Sequence, residues 1–183
     1  IYFIIFIPTN ECLMVTFRKA ELEDTPLIEE LAQEIFRATY KDMLQKGQID
    51  FMMEWMYSKQ SLEKQFSDLN SFFITWCNGI PVGYMSIQKE SITEDNITVY
   101  HLHKLYVMPE WQGRGVGELL FKKACEYATH NKNSAKARIE LNVNRYNKAV
   151  GFYLRMGMKI ACEGDFPIGE GFYMNDYIMS LKL

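Results

Sequence analysis

The sequence predicts a single α/β domain built around a mixed β-sheet, and three observations carry that prediction. Strand-like and helix-like hydrophobic periods follow one another in the order β-αα(α)-βββ-α-β-α-ββ. Asn78-Gly79 separates two apolar alternating runs as a hairpin turn does. A glycine-rich turn, Gly113 to Gly117, leads from a strand into a helix late in the chain. The 183 residues, 48% of them hydrophobic, suffice for one core, and an aromatic content of 14% excludes a disordered chain.

Val15-Thr16-Phe17-Arg18 alternates as a short strand. Asp24-Thr25-Pro26 supplies helix-start chemistry, with Asp or Thr as the cap and Pro in the first turn. Leu27, Ile28, Leu31, Ile35 and Phe36 then recur at helical spacing. Ile49 to Tyr57 is a second, strongly apolar helix, and Ser61 to Leu69 a third. Their methionines and aromatics are expected in the core, with a substrate-pocket wall as the alternative. Ser71 to Trp76 and Pro81 to Lys89 are the hairpin strands, and Ser91 to Asn96 a polar loop. Ile97 to Val107 is a long strand, Gly115 to His130 an amphipathic helix, and Ala137 to Val143 a strand. Ala149 to Met156 is helical and stops at Gly157. Lys159 to Glu163 and Phe172 to Leu181 close the chain around a loop with Pro167, Gly169 and Gly171.

Residues 1–14 stand apart. Ile1 to Ile7 is apolar throughout, too short for a bilayer span of about 20 residues and without a basic flank. Pro8-Thr9-Asn10 breaks the run, so 1–14 is expected to be an extension outside the core fold and 15–183 the domain. An added edge strand or a dimer contact are the alternatives. Twenty basic against 23 acidic residues give a net charge of −3, which argues against nucleic-acid binding through bulk positive charge. Cys12, Cys77, Cys125 and Cys162 are far apart, with no CxxC pair, and read as reduced thiols of a cytoplasmic protein. The three histidines form no HExxH, so no metal is expected. A monomer or a homodimer fits equally, and no membrane partner is expected.

The chemistry concentrates in Val107-Met108-Pro109-Glu110-Trp111-Gln112-Gly113-Arg114-Gly115-Val116-Gly117. Glycines on alternate positions let main chain approach a ligand closely, and N–H groups at a helix start suit a pyrophosphate, with Arg114 beside them. The dinucleotide pattern G-x-G-x-x-G is not met, and no Gly-Lys-Ser/Thr follows as a phosphate loop requires. Further on, Asn144-Arg145-Tyr146-Asn147 leads from a strand into a helix that presents Phe152 and Tyr153 before Gly157.

Together these two stretches resemble the GNAT superfamily of N-acetyltransferases. Gln112-Gly113-Arg114-Gly115-Val116-Gly117 is similar to its Q/R-x-x-G-x-G/A acyl-CoA loop, and the Asn–Ala–Phe-Tyr–Gly block to its downstream motif. The order of elements agrees from about Val15 to Leu183. Within the superfamily, Lys104 to Pro109 and Phe172 to Met179 look most like bacterial PaiA-type polyamine acetyltransferases. The resemblance implies a sheet of about six or seven strands flanked by helices, with two strands splayed around acyl-CoA. It implies that the backbone of Leu105, Tyr106 and Val107 pairs with the pantetheine arm and holds the acetyl carbonyl. Gly113, Arg114, Gly115, Val116 and Gly117 would take the pyrophosphate through their N–H groups, with Gln112 positioning the loop. Asn147 would hydrogen-bond the cofactor, and Tyr153 would protonate the departing thiolate. Asn147 lies one residue closer to Tyr153 than the family's commonest spacing, a place Tyr146 occupies, and Asn144 is the alternative.

The implied reaction moves the acetyl group of acetyl-CoA, as co-substrate, to a primary amine, in a ternary complex. An ammonium group of pKa near 10.4 must first lose a proton. Counting back from Val107 to where several family members carry a glutamate reaches His101, a group able to accept a proton at neutral pH. Water is the alternative carrier. His101 and His103 share one strand face. No cysteine lies in either motif, which argues against a thiol intermediate. A small amine such as a polyamine is the expected acceptor. Protein N-termini or lysines, or a non-catalytic acyl-CoA sensor, are the alternatives.

Overall fold

The computed structural model describes residues 3–7 and 13–183, the former as backbone. Pro8-Thr9-Asn10 and Cys12 fall outside the described residues. Two compact units are built from interleaved stretches. The first holds the chain up to Ile87 and Lys104–Leu120, the second Gln88–His103 and Phe121–Leu183.

The first unit opens with strands β1 (Phe3–Ile7) and β2 (Leu13–Lys19), antiparallel from Phe3↔Phe17 to Ile7↔Leu13. The N-terminal run thus contains an edge strand, and the expected boundary at residue 14 falls inside β2. Helix α1 (Thr25–Tyr40) turns Ile28, Leu31, Ala32, Ile35 and Phe36 into the core at helical spacing. Asp24 stands at its start, but its carboxylate caps no helix N–H. It takes Arg18 through two bonds of 2.8 and 2.6 Å and the Glu21 N–H at 2.8 Å. The Arg18 guanidinium holds the Asp24 carboxyl below the usual carboxylate range.

Helix α2 (Lys46–Tyr57) buries Ile49, Met52, Met53 and Tyr57, so half of its methionines and aromatics pack inward, while Phe51 and Met56 are half-buried and Trp55 is exposed. Helix α3 (Lys59–Ser67) begins before Ser61, because Ser58 serves as its cap and accepts the Ser61 N–H. Strands β3 (Ser71–Cys77) and β4 (Ile80–Ile92) pair antiparallel across Asn78-Gly79, both at positive φ. β4 runs beyond the expected end at Lys89, and the turn shrinks to 93–96, where the Thr93 hydroxyl accepts the Ile97 N–H.

Strand β4, strand β5 (Ile97–Val107) and helix α4 (Val116–His130) contribute residues to both units. In the second unit, β5 pairs in parallel with β6 (Lys136–Asn144) from Ile97↔Lys136 to His101↔Glu140. Helix α5 (Ala149–Arg155) follows. Strands β7 (Lys159–Gly169) and β8 (Phe172–Lys182) form a long hairpin, and β8 pairs antiparallel with β6. β7 extends well past the expected Glu163. Pro167 is tolerated because β7 lies at the edge of the sheet, paired on one side only. The strand order is β1-β2-β3-β4-β5-β6-β8-β7, one more strand than the sequence predicts because of β1.

Val99, Tyr100, Ala124, Ala128, Ile139, Leu141 and Met179 form the second core. Among the described residues no helix is long and apolar enough to cross a membrane, and no group of three metal-ligating side chains is assembled. Cys77, Cys125 and Cys162 are free thiols.

Candidate active site

In the first unit the strand end and the glycine turn are built as one piece. β4 and β5 approach each other so closely that a Cβ on Gly83 would lie 2.5 Å from the Tyr106 carbonyl oxygen. The Met108 N–H donates to the Val82 carbonyl at 2.8 Å, which continues this contact past the end of β5. Only glycine allows the main chain at Tyr106 and Val107 this position. Leu105 and Tyr106 are half-buried and Val107 is buried.

Pro109–Trp111 then form one 3₁₀ turn. The Gln112 side-chain amide reaches back and donates to the Val107 carbonyl at 2.8 Å. Gly113 and Gly115 adopt φ of +72° and +85°, the left-handed region that glycine enters without penalty. Gly117 already lies within α4, which starts at Val116. The first four N–H groups of a helix have no partner inside it, so this turn presents a set of donors at a positive dipole end. Arg114 is exposed, its guanidinium 5.2 Å from the Trp111 ring centroid, while Val116 is fully buried and anchors the helix start. A pyrophosphate fits this donor set, and the two left-handed glycines leave no side chain in its way.

The remaining predicted residues lie in the second unit. Tyr153 is 7% exposed, with its ring 6.0 Å from Phe121 and 5.1 Å from Phe152. The Asn147 side-chain oxygen accepts the Ala149 N–H at 2.8 Å, at the start of α5, so its side-chain NH2 is the part able to meet a ligand. The alternative, Asn144, is 2% exposed, and its side-chain oxygen accepts the Tyr146 N–H. His101 stands opposite Glu140 in the β5–β6 pairing, between two carboxylates. Its Nδ1 is 3.5 Å from Glu90, and Glu140 is its partner across the strands. Arg138 holds Glu140 at 2.8 Å. Burial pushes the His101 pKa down, against the opposing pull of Glu90 and Glu140, which keeps the ring neutral and able to accept a proton. The His103 ring lies 4.6 Å from that of His101, tilted by 33°, and contacts Gln88 at 3.1 Å.

The structure therefore joins Leu105, Tyr106, Val107 and Gln112 to Gly117 in one unit, and sets His101, Asn147 and Tyr153 in the other. Sequence reasoning missed Lys104. It shares a strand face with Leu102 and Tyr106, is 7% exposed, and donates to the Gln65 side chain at 2.5 Å. Burial lowers its pKa to about 8. A lysine on the apolar phase of a strand was the available signal. Sequence reasoning also missed Asp176 of β8, 6% exposed, one of whose oxygens has no hydrogen-bond partner.

The acetyltransferase (GNAT) domain family matches residues 39–166, and the chain belongs to that family. It is 36% identical over 94 residues to an uncharacterized N-acetyltransferase of Methanocaldococcus jannaschii, across 50% of this chain and 40% of that protein. It is 32% identical over 81 residues to a peptidyl-lysine N-acetyltransferase of Salmonella typhimurium, across 44% and 43% respectively. The chain thus spans less than half the length of these curated relatives. The PaiA N-acetyltransferase of Thermoplasma acidophilum, in complex with coenzyme A, shares the fold. Its TM-score is 0.73 at 22% identity, over 92% of this chain and 99% of that one.

Proposed function

We propose that this protein transfers the acetyl group of acetyl-CoA to a primary amine of a small cationic molecule, of which a polyamine is the example, by direct attack in a ternary complex. The observation that carries the reading is the turn tied by Gln112 to the end of β5, with Gly113 and Gly115 in the left-handed region at the start of α4. In this reading the Gly113 to Gly117 N–H groups bind the pyrophosphate, Arg114 adds positive charge, and Asn147 donates to the cofactor. The Leu105–Val107 main chain holds the thioester, whose carbonyl supplies the electrophile. Tyr153 gives its proton to the leaving sulfur. His101 receives a proton from the amine, directly or through water, and Glu90 and Glu140 beside it favour a cationic acceptor.

A second reading, acetylation of lysines or N-termini in proteins, draws support from the peptidyl-lysine relative. One assay separates the readings: release of coenzyme A thiol with spermidine, spermine, amino acids, aminoglycosides and N-terminal peptides. The expected result is the highest kcat/KM with a polyamine and a KM that rises with ionic strength. Turnover confined to peptides moves the assignment to protein acetylation. Tight acetyl-CoA binding without turnover identifies a sensor.

A further inference from the structure

Tyr40 of α1, Tyr57 of α2, Tyr84 of β4 and Tyr106 of β5 bring their hydroxyls together within the first unit. The Tyr84 hydroxyl donates to that of Tyr57 at 2.8 Å. Tyr57 is hydrogen-bonded in turn to the Tyr106 hydroxyl, and the hydroxyls of Tyr106 and Tyr40 meet at 3.4 Å. Tyr40, Tyr57 and Tyr84 are buried and Tyr106 is half-buried. Their rings also pack together. Phe36 lies 4.4 Å from Tyr40 and 6.0 Å from Tyr106, and Tyr84 lies 5.5 Å from Tyr106. Phenylalanine would keep every one of these ring contacts without setting four polar atoms in an apolar core, so packing alone does not account for the hydroxyls.

Tyr106 belongs to the segment proposed to hold the thioester, and Lys104, two residues before it on the same strand face, is tied down in the same way. Lys104 donates to the Gln65 side chain at 2.5 Å, and the Gln65 NH2 donates to the Met56 and Ser61 carbonyls. Polar bonds thus run from two alternate residues of β5 to α1, α2 and α3. Strand β4 closes on the same stretch, with Gly83 against the Tyr106 carbonyl and the Met108 N–H on the Val82 carbonyl. Apolar contacts tolerate small sliding motions, whereas a hydrogen bond weakens as its distance and angle change. A buried network of such bonds therefore fixes one placement of the main chain that carries it.

We propose that the Tyr106 hydroxyl, held by Tyr57 and Tyr40, sets the Leu105–Val107 main chain against the thioester, so that helices α1 and α2 control the acetyl-transfer step. The inference rests on the amine-acetylation reading above and deepens it. Attack requires the acetyl carbonyl at a fixed distance and angle, and a shift of about 1 Å in what holds it costs on the order of a hundredfold in rate. Cofactor affinity depends on this much less. The N–H groups proposed to take the pyrophosphate stand at the start of α4, which the buried Val116 anchors. Tyr40, Tyr57 and Tyr106 act through the main chain of the segment, so they are positioning residues.

The test removes one hydroxyl at a time and keeps the ring. Tyr106→Phe and Tyr57→Phe are each expected to lower kcat about tenfold, with acetyl-CoA affinity changed by no more than about twofold. Combined, they cost no more than the larger single loss, because the Tyr57–Tyr106 bond is gone in either. Tyr84→Phe breaks a bond that does not involve Tyr106. It is expected to lower Tm as Tyr57→Phe does and to leave kcat within about twofold of the wild type. Amide hydrogen exchange at Met108, whose N–H donates to the Val82 carbonyl, reads the segment without any turnover. It is expected to quicken about tenfold in Tyr106→Phe and to stay unchanged in Tyr84→Phe. A kcat that follows Tm across all the variants, losses that multiply in the double variant, or unchanged Met108 exchange in Tyr106→Phe overturns the proposal and leaves the hydroxyls a packing role. Should Tyr57→Phe not fold, Tyr40→Phe takes its place, since it removes the other hydroxyl that meets Tyr106. A wild type that acetylates no amine would instead reject the amine-acetylation reading, while exchange at Met108 still decides whether Tyr106 holds the segment.

Discussion

The Gln112 side chain donates its amide hydrogen to the Val107 carbonyl at 2.8 Å, closing the turn between the end of β5 and the start of α4. This bond couples the strand that is proposed to hold the thioester to the glycines proposed to hold the pyrophosphate. Gln112→Ala removes about 1 kcal/mol of that constraint and is expected to weaken acetyl-CoA binding about fivefold. Isothermal titration calorimetry measures it. Unchanged affinity would show that the turn keeps its shape without Gln112.

Gly83 faces the Tyr106 carbonyl so closely that a methyl group has no room. Because the obstacle is main chain rather than a flexible side chain, Gly83→Ala must push β5 away from β4. The expected cost is about 1–3 kcal/mol in stability. A larger fractional loss in kcat than in folded protein is also expected, because the displaced segment is the one proposed to orient the thioester. Thermal melts and steady-state rates on the same sample separate the two effects.

Tyr153→Phe keeps the ring that packs near Phe121 and Phe152 and removes only the hydroxyl. Loss of a proton donor to the leaving thiolate is expected to lower kcat about a hundredfold, with acetyl-CoA affinity changed by no more than about twofold. The opposite pattern, weak binding with kcat retained, would assign the hydroxyl to cofactor binding.

Two buried ionisable groups give stability opposite slopes with pH. Burial raises the Asp176 carboxyl to about 6, opposed by a hydrogen bond from Asn142 and the charge of Arg145. Between about pH 4 and 6 the folded state therefore binds more protons than the unfolded chain, and stability falls as pH rises through that window. Asp176→Asn should remove this slope and raise Tm above pH 6. Lys104, lowered to about 8, binds fewer protons when folded, so it adds stability as pH rises from about 8 to about 10.5. Lys104→Met should flatten that second slope. Calorimetric melts from pH 4 to 10 check both signs.

Much of the architecture was legible before any coordinates. The hairpin at Asn78-Gly79, helix α1 after Asp24-Thr25-Pro26, and the length of β5 all match the structure to within a few residues. The differences have local causes. Ser58 caps α3, which therefore starts before Ser61, and Asp24 spends its carboxylate on Arg18 and the Glu21 N–H. Pairing with β8 carries β7 past Glu163 through Pro167. The glycine turn was legible too, because a chain that must enter left-handed φ at Gly113 and Gly115 announces this in its residue types.

By itself the sequence determined the order of strands and helices and the chemistry of the Gln112 to Gly117 turn. Both are encoded in windows of a few residues, where periodicity and backbone freedom act directly. Only the tertiary structure decided that Lys104 is a buried cation between Tyr57 and Phe72, and that Gly83 meets the Tyr106 main chain. It also decided that His101 stands between Glu90 and Glu140. Burial, close approach and charge pairing depend on residues distant in sequence, and they exist only once strand register and helix packing have brought those residues together.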